Sequence, residues 1–323
     1  MATEIELKFR IPRQRLAALH RAVATRSAHS LPLAAAYFDT AGEHLARART
    51  ALRLRREADA WVQTLKAEGA SPLQRLEHNV AVPGAAQPAL DIGRHDGSAA
   101  GAALRRVLDD AGGHQPLVER YRTTVQRTRR LLRSGGARIE LALDEGAVHA
   151  GGRSLALCEI EFELLHGLPQ VLLAVAGRWA LRHGLLLDMR SKSELGHCLA
   201  AGLDGSPPTM APPHATALAQ SLRPVLANAS QLAAGLGQPE HVLQLRLGLV
   251  QLRRMLGDGP ALPLSARLAA LDGPLVRADQ VWRAVPGVKQ VPADLLALLC
   301  QPATQQLWLD LLALTLPAVP PPG

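Results

Sequence analysis

The sequence predicts an α+β protein in which an antiparallel sheet or barrel of about eight strands precedes an all-α region. Apolar and polar residues alternate with a period of two through roughly the first half of the chain. Apolar residues recur at three- and four-residue spacing after residue 215, and a segment rich in Gly and Pro separates the two regions. Because strands do not alternate regularly with helices, the pattern does not indicate a parallel doubly wound sheet.

The first region contains eight segments in which every second residue is apolar, as in a strand with one buried face. These predicted strands are 3–11, 33–39, 50–57, 60–67, 73–82, 118–132, 137–144 and 156–165, and a short further strand is predicted at 185–192. Helical spacing predicts three helices among them, at 13–25, 102–111 and 168–183.

The second region begins after a segment that contains Gly-Ser-Pro-Pro and Pro-Pro, which is typical of a linker between domains. Helical spacing, as in Val242, Leu245 and Leu249, then predicts an all-α domain. Its predicted helices are 215–235, 239–256, 262–271, 274–284, 292–300 and 303–316. We therefore expect domains at 1–201 and 215–316, a linker at 202–214, and a disordered Pro-rich tail at 317–323.

Composition restricts the classes of function. The chain has 323 residues, 48% of them apolar, so it can bury two ordinary cores. No apolar run approaches the ~18 residues of a membrane span and residues 1–10 do not resemble a secretory signal, so we expect a cytoplasmic protein without membrane contact. Only 3% of residues are aromatic, which does not favour a base-stacking surface. The three cysteines form no CxxC pair and indicate neither a disulfide framework nor a zinc site.

Charged residues occupy alternate positions of several predicted strands. In the first strand, Glu4, Glu6 and Lys8 share one face and Ile5 and Leu7 the other. Similar charged faces carry Arg10, Arg53, Arg55, Arg75, Glu77, Arg120, Arg122, Arg138, Glu140, Asp144, Glu159, Glu161 and Glu163. Two interpretations are open: the charged faces lie outside an ordinary sandwich, or the sheet closes with these faces inward and forms a charged tunnel.

A tunnel lined by both signs of charge would suit metal-assisted phosphoryl chemistry. Of the net charge of +8, +7 lies in the first 201 residues, so anion binding is expected there. Arg binds phosphate oxygens with two parallel hydrogen bonds and Lys binds them as a point charge. Clustered carboxylates repel one another unless divalent cations lie among them, and Mg²⁺ prefers carboxylates together with waters and phosphate oxygens.

The segment Glu4-Ile5-Glu6-Leu7-Lys8 resembles the ExExK signature of the CYTH, or triphosphate tunnel metalloenzyme, superfamily. The remaining motifs follow in order: Arg53-x-Arg55, Thr64-x-Lys66, Arg75-x-Glu77, Arg122, Arg138-x-Glu140 with Asp144, Glu159-x-Glu161 and Ser191-Lys192. Three of the four lysines fall on these positions. The resemblance covers roughly residues 1–200 and implies an eight-stranded antiparallel tunnel.

The resemblance also implies a role for each motif residue. The expected ligands of Mg²⁺ or Mn²⁺ are Glu4, Glu6, Asp144, Glu159 and Glu161. The expected phosphate-binding residues are Lys8, Arg53, Arg55, Lys66, Arg75, Arg122, Arg138 and Lys192. The expected catalytic residues are Lys8, Glu77 and Asp144, and Glu77 and Glu140 are expected to orient the cations.

The two-domain layout resembles bacterial inorganic triphosphatases in which a helical CHAD domain follows the CYTH domain. This implies metal-dependent hydrolysis of inorganic triphosphate, with short polyphosphate as a related substrate. The helical region is short for a CHAD domain, and Leu243, Val250 and Gln251 stand where basic residues are expected. We therefore expect a structural or dimerising role for it, and a homodimer is one open possibility.

Several other functions fit the same residues. The CYTH fold also includes thiamine triphosphatases and adenylate cyclases, which need an additional pocket for an organic group. A polyphosphate- or nucleic-acid-binding module could use Arg129, Arg130, Arg133 and the pair Arg253 and Arg254 as contacts. It would not need carboxylates on the same strand faces. Metal dependence separates these functions, because Mg²⁺ weakens simple electrostatic binding whereas a metalloenzyme requires it.

Overall fold

The computed structural model describes residues 3–84, 86–113, 115–257, 261–284 and 290–316. An eight-stranded antiparallel barrel is followed by a helical C-terminal region, which confirms the predicted α+β fold class. Among the described helices, none combines the length and apolar character that crossing a bilayer requires.

The strands and helices follow one another in two blocks. The strands are β1 (Thr3–Arg10), β2 (His29–Thr40), β3 (Ala51–Glu57), β4 (Ala60–Glu68), β5 (Gln74–Val82), β6 (Leu117–Ser134), β7 (Ala137–Ala150), β8 (Arg153–His166) and β9 (Leu186–Leu187). The helices within the first block are α1 (Leu16–Val23), α2 (His44–Arg47), α3 (Ala99–Asp110), α4 (Pro169–His183) and α5 (Lys192–Ala200). The second block contains α6 (Leu218–Ala233), α7 (Pro239–Leu256), α8 (Leu262–Ala284), α9 (Ala293–Cys300) and α10 (Pro302–Ala313).

The barrel closes through β1. The strands are ordered β5-β4-β3-β2-β6-β7-β8-β1, and β1 pairs again with β5, so that Glu4 lies opposite Arg75. Along its second half, β1 pairs instead with the short β9. The barrel therefore has no free edge among β1 to β8.

The outer faces of the barrel strands are apolar and support the surrounding helices. Leu7 and Phe9 of β1 and Phe162 of β8 are buried, and the rings of Phe9 and Phe162 meet edge to face at 5.8 Å. They share one continuous core with Leu172 and Ala176 of α4. Residues of opposite parity on the same strands therefore point into the barrel, which decides between the two interpretations in favour of inward charged faces.

The helical region packs against one end of the barrel. Leu187 N of β9 donates a hydrogen bond to Gln305 Oε1 of α10 at 2.7 Å, and Arg10 Nη2 donates to Ala233 O of α6 at 2.5 Å. Apolar residues of α6 to α10 belong to the same core as β1, β7, β8 and α4. The two regions thus form one packed body at the barrel end where β1 finishes.

The predicted strand at 185–192 is wrong over most of its length. Only Leu186 and Leu187 form strand pairs, and a helix, α5, begins at Lys192. Ser191 caps this helix, because its Oγ accepts a hydrogen bond from Glu194 N at 3.0 Å. Ser191 and Glu194 have the S-x-x-E spacing of a capping box, so the sequence contained the signal for a helix start.

The two helices predicted at 262–271 and 274–284 are one helix, α8, with Pro274 inside it. Buried Leu268, Leu271, Leu275 and Trp282 continue one apolar face across the proline. Packing of this face therefore outweighs the interruption that Pro274 causes. The predicted tail at 317–323 lies outside the described residues.

His95, which lies outside the barrel interior, makes the fold sensitive to pH. Its imidazole is fully buried, with its ring nitrogens 3.0 Å from His78 Nδ1 and 3.0 Å from Gln63 Nε2. Burial, together with the nearby His78 and Arg94, lowers the pKa of His95 from 6.5 to about 4. The unfolded chain therefore takes up this proton at higher pH, and the stabilisation is complete above about pH 6.5 and lost as the pH falls toward 4.

We expect the protein to lose roughly 2 kcal/mol of unfolding free energy between pH 6.5 and pH 4.5 through His95. Urea unfolding at the two pH values measures this loss, and His95→Gln should remove most of it. The exposed His166 offers a control, since His166→Gln should retain the wild-type pH dependence. Equal pH dependence in wild type and His95→Gln would contradict the assignment.

Candidate active site

The inward faces of the strands surround a cavity of about 770 Å³. Of the described residues that line it, twelve are Lys or Arg and ten are Asp or Glu, so its walls carry both signs of charge. The predicted site residues among them are Glu4, Glu6, Lys8, Arg53, Arg55, Lys66, Arg75, Glu77, Glu161 and Lys192. The structure thus brings ten of the predicted residues to one cavity.

Lys66 of β4 is the centre of a first cluster, which also contains carboxylates of β1 and β5. Its Nζ lies 2.5 Å and 2.7 Å from the two oxygens of Glu4, 3.5 Å from Glu77 Oε2 and 4.0 Å from Glu6 Oε2. Burial opposes the charge, but these carboxylates outweigh it and raise the pKa of Lys66. Lys66 therefore remains an ammonium ion at neutral pH.

The carboxylates of this first cluster exceed the cations close to them. Glu163 of β8 also faces the cavity here. Among the described residues, Lys66 is the only cation within 4.0 Å of Glu4, Glu6 or Glu77, and Glu163 has no cation within that distance. Burial, with Glu6 and Glu77 nearby, raises the pKa of Glu4 to about 8. Burial, with neighbouring Glu77, raises the pKa of Glu163 to about 7. An additional cation would therefore be stabilised in this part of the cavity.

Lys192 is the centre of a second cluster, on the β7 and β8 side. Its Nζ lies 2.8 Å from both Asp144 Oδ2 and Glu161 Oε1 and also contacts Glu159. Arg127 of β6 donates two hydrogen bonds to Asp144, at 2.6 and 2.7 Å, and one to Glu161 at 2.5 Å. Asp144 and Glu159 are almost completely buried beneath the cavity wall, and Glu161 reaches the cavity itself.

The second cluster has oxygen ligands close enough together to hold a metal ion. One oxygen from each of Asp144, Glu159 and Glu161 lies within 4.8 Å of the others. Three carboxylate oxygens are ligands that suit Mg²⁺ or Mn²⁺. The predicted ligands Glu4 and Glu6 belong instead to the first cluster, around Lys66. The five predicted ligands therefore form two groups in one barrel.

Three of the cavity cations each have a buried nitrogen that lacks a hydrogen-bond partner among the described residues. These nitrogens are Lys8 Nζ, Arg53 Nε and Arg55 Nε. Lys8 Nζ lies 3.4 Å from Glu159 Oε2, and Arg55 forms an ion pair with Glu57. Burial, with Arg53 nearby, lowers the pKa of Arg55 to about 10. Unused buried donors are costly, so this group is arranged for an anion with several acceptor oxygens.

Tyr37 of β2 holds Arg53 in place. Its hydroxyl accepts a hydrogen bond from Arg53 Nη1 at 3.1 Å, and its ring stacks on Tyr121 at 4.6 Å. The Tyr121 hydroxyl in turn donates to Ser193 Oγ at 2.8 Å. Burial raises the pKa of Tyr37, but Arg53 outweighs this effect and brings the pKa below its ordinary value. The aromatic pair thus connects β2, β6 and α5 behind the cationic wall.

Arg122 and Arg138, both predicted to bind phosphate, do not line the cavity. Arg122 is exposed and pairs with Glu119, because its neighbours Tyr121 and Thr123 occupy the buried face of β6. Arg138 is exposed near the start of β7, where the pairing with β8 shifts register between Arg138 and Ile139. The structure corrects the predicted inward face of β6 by one residue.

Two other arginines, which were not among the predicted residues of the tunnel, line the cavity in place of Arg122 and Arg138. Arg127 and Arg129 of β6 line the cavity, and Arg129 Nη1 lies 3.6 Å from Glu140 Oε2. Arg127 and Arg129 have the same parity as Tyr121, whose ring lies against Tyr37 of the cavity wall. Continuing the period of two from Tyr121 would have predicted both arginines.

Comparisons with known proteins identify a protein family and several similar solved structures. A family model of the CYTH domain matches residues 2–195. The chain is 22% identical to a candidate adenylyl cyclase from Hippeastrum with a dominant triphosphatase activity, over 62% of this chain and 96% of that one, with a TM-score of 0.40. It is 18% identical to a candidate adenylate cyclase from Bacillus halodurans, over 57% and 91% of the two chains, with a TM-score of 0.40. The inorganic triphosphatase NE1496 is 21% identical over 51% and 76%, with a TM-score of 0.22.

The family match covers more than half of the chain and includes all eight strands of the barrel. Enzymes of this family depend on metal ions and act on the phosphoanhydride bonds of triphosphates. The family model ends within α5, so the match does not extend to the helices α6 to α10. The chain belongs to the CYTH domain family.

Proposed function

We propose that this protein hydrolyses inorganic triphosphate to pyrophosphate and phosphate inside the barrel, in a metal-dependent reaction. The observation that carries the proposal is the set of buried nitrogens on Lys8, Arg53 and Arg55 that lack a hydrogen-bond partner among the described residues, in a cavity that also exposes carboxylates. The donors suit an anion rich in oxygens, and the carboxylates suit the divalent cations that accompany it. A simple anion-binding site would have no use for the carboxylates.

In this proposal the cations of the cavity bind and orient the substrate. Lys8, Arg53 and Arg55 would contact phosphate oxygens directly, with Lys66, Arg75 and Lys192 around them. Glu77 would orient Lys66, since Glu77 is 3.5 Å from Lys66 Nζ and accepts a hydrogen bond from Asn79 Nδ2 at 2.8 Å. Phosphoryl transfer depends mainly on such positioning and charge neutralisation.

The proposed Mg²⁺ or Mn²⁺ ligands are Asp144, Glu159 and Glu161 in the second cluster and Glu4 and Glu6 in the first. When bound, such an ion would act as a Lewis acid on phosphate oxygens and neutralise part of their charge. In the absence of an ion, Lys192 and Arg127 supply the positive charge that the second cluster needs.

The proposed reaction is attack by water on a terminal phosphorus. The bond between that phosphorus and the bridging oxygen breaks, and pyrophosphate leaves with the bond electrons. Carboxylates of the cavity accept the proton that water releases, and Arg53 and Arg55 stabilise the negative charge that develops on the leaving group. Tyr37 keeps Arg53 aligned for this role through its 3.1 Å hydrogen bond.

The scarcity of aromatic side chains in the cavity favours inorganic triphosphate over an organic triphosphate as the substrate. Tyr37 is the only Phe, Tyr or Trp among the described residues that line it. Its ring is 3% exposed and already stacks on Tyr121, so it offers no free face to a base or a thiazole ring. Hydrolysis of thiamine triphosphate and cyclisation of ATP remain the alternative activities that the assay must separate.

For the helices α6 to α10 we propose a mainly structural role, with domain limits at 1–201, 202–214 and 215–316. His241 resembles a polyphosphate-binding histidine only in its approximate position. Its Nδ1 accepts a hydrogen bond from Gln238 N at 3.0 Å, and its Nε2 lies 3.0 Å from Ser206 O. Both ring nitrogens are therefore used within the protein.

The specificity constants for inorganic triphosphate, ATP and thiamine triphosphate test the proposed substrate. With Mg²⁺ present, kcat/KM for inorganic triphosphate should exceed the other two values at least tenfold. Products are separated by ion-exchange chromatography, so that cyclic AMP from ATP is also detected. A higher kcat/KM for either organic substrate would reject the proposed specificity and select the corresponding alternative.

A further inference from the structure

We propose that Arg49, Arg75 and Arg223 form a second phosphate subsite, which binds the part of a linear polyphosphate that extends beyond three phosphates. The inference rests on the proposed function, since it assumes that triphosphate binds beside Lys8, Arg53 and Lys66. It gives α6, which lies outside the family match, a direct contact with long substrates.

Arg223 is held at the end of the barrel by the turn between β4 and β5. Its Nη1 lies 2.9 Å from Glu68 Oε1, and its Nη2 lies 3.5 Å from Gly69 O. Arg49 Nε lies 3.7 Å from the same oxygen of Glu68. One carboxylate oxygen therefore holds two guanidinium groups from separate parts of the chain.

Positive charge exceeds negative charge at this position. Glu68 is the only carboxylate within 4.0 Å of Arg49 or Arg223 among the described residues, and Arg75 has no carboxylate within that distance. Burial lowers the pKa of Arg223, and Arg49 and Arg75 add a smaller repulsion in the same direction, although Glu68 opposes both effects. An anion bound among the three arginines would relieve this repulsion.

Arg75 connects this subsite with the first cluster. It is paired in the sheet with Glu4 on one side and Glu68 on the other, so it lies between the Lys66 cluster and Arg223. Arg49, Arg75 and Arg223 all line the same cavity as Lys66. A phosphate chain that begins in the triphosphate site can therefore continue past Arg75 without leaving the cavity.

Linear polyphosphate fits this surface better than a nucleic acid. The described residues that line the cavity include small or aliphatic side chains such as Leu203, Pro208 and Ala227, and the buried Tyr37 is the only Phe, Tyr or Trp among them. A polynucleotide would leave its bases without stacking partners, whereas polyphosphate needs only charge and hydrogen-bond donors.

The test compares tripolyphosphate with linear tetrapolyphosphate in wild type, Arg223→Gln and Arg223→Lys. The ratio of kcat/KM for tetrapolyphosphate to kcat/KM for tripolyphosphate should fall about tenfold in Arg223→Gln and recover partly in Arg223→Lys. Arg267→Gln is the matched control, because Arg267 of α8 pairs with Asp310 at 2.5 Å and does not line the cavity. Its ratio should equal that of wild type.

A binding measurement separates failure of this inference from failure of the proposed function. Calorimetric titration with tetrapolyphosphate in EDTA should give a Kd about tenfold higher for Arg223→Gln than for wild type, whether or not the protein hydrolyses triphosphate. An unchanged Kd and an unchanged kcat/KM ratio, in a variant that unfolds at the wild-type temperature, would overturn the inference. Tighter binding of a single-stranded oligonucleotide than of tetrapolyphosphate would also overturn it.

Discussion

Replacing Glu161 with Gln is expected to lower kcat/KM for inorganic triphosphate about 10³-fold, equal to about 4 kcal/mol of transition-state stabilisation. Glu161 is the member of the second cluster that reaches the cavity, and it contacts both Lys192 at 2.8 Å and Arg127 at 2.5 Å. Gln has the same size and keeps an acceptor oxygen, but it lacks the negative charge that a divalent cation requires. The loss should therefore appear in catalysis more than in folding.

Steady-state kinetics over a range of Mg²⁺ concentrations measures this effect, and thermal unfolding shows whether the variant folds. Glu145→Gln is the matched control, because Glu145 follows Asp144 on β7 but faces outward and pairs with His20. We expect Glu145→Gln to stay within about twofold of wild type. A Glu161→Gln variant with wild-type activity would show that the second cluster has no part in catalysis.

Replacing Lys192 with Met is expected to lower the free energy of unfolding by about 3–5 kcal/mol in EDTA, because it removes one partner of a buried charge cluster. Asp144, Glu159 and Glu161 would then share only Arg127 and Lys8 as cations within 4.0 Å among the described residues. The three carboxylates raise the pKa of Lys192 well above its ordinary value, although burial opposes them. The ammonium group is therefore charged in the folded protein at neutral pH.

Urea unfolding with and without Mg²⁺ tests this prediction. Added Mg²⁺ should stabilise Lys192→Met more than wild type, since the ion would replace the missing charge. Arg267→Met provides a control on an ion pair that is about one-third exposed, and we expect it to cost less than about 1 kcal/mol. If Lys192→Met were as stable as wild type in EDTA, the buried carboxylates could not carry the charges assigned to them.

The barrel strands were predictable because a period of two in apolar residues is typical of strands with one buried face and does not fit a helix. The direction of the charged faces was not predictable from this alternation, since a barrel with its charges inside and a sandwich with its charges outside show the same pattern. The long apolar core that joins β1 and β8 to α4 settles the direction, and this core consists of contacts between residues far apart in sequence. Only the resemblance of the motifs pointed to the tunnel beforehand.

Within the site, the predictions were wrong where a shift of one residue along a strand decides whether a side chain points into the barrel. Arg122 fits a motif position but stands one residue away from the buried face of β6, whereas Arg127 has the right parity. Lys192 is in the cavity as expected, but it enters from the first turn of a helix that Ser191 caps. Arg223 could not be predicted, because its position depends on how α6 packs against the turn after β4.

The most direct test of the central claim is the initial rate of phosphate release from inorganic triphosphate, measured for wild type and Glu6→Gln with Mg²⁺ and with EDTA. Glu6 faces the cavity from β1 and belongs to the first cluster. We expect rapid release by wild type with Mg²⁺, release at background level in EDTA, and a rate at least about 100-fold lower for Glu6→Gln. Release that continues in EDTA, or that does not depend on Glu6, would contradict a metal-dependent triphosphatase inside this barrel.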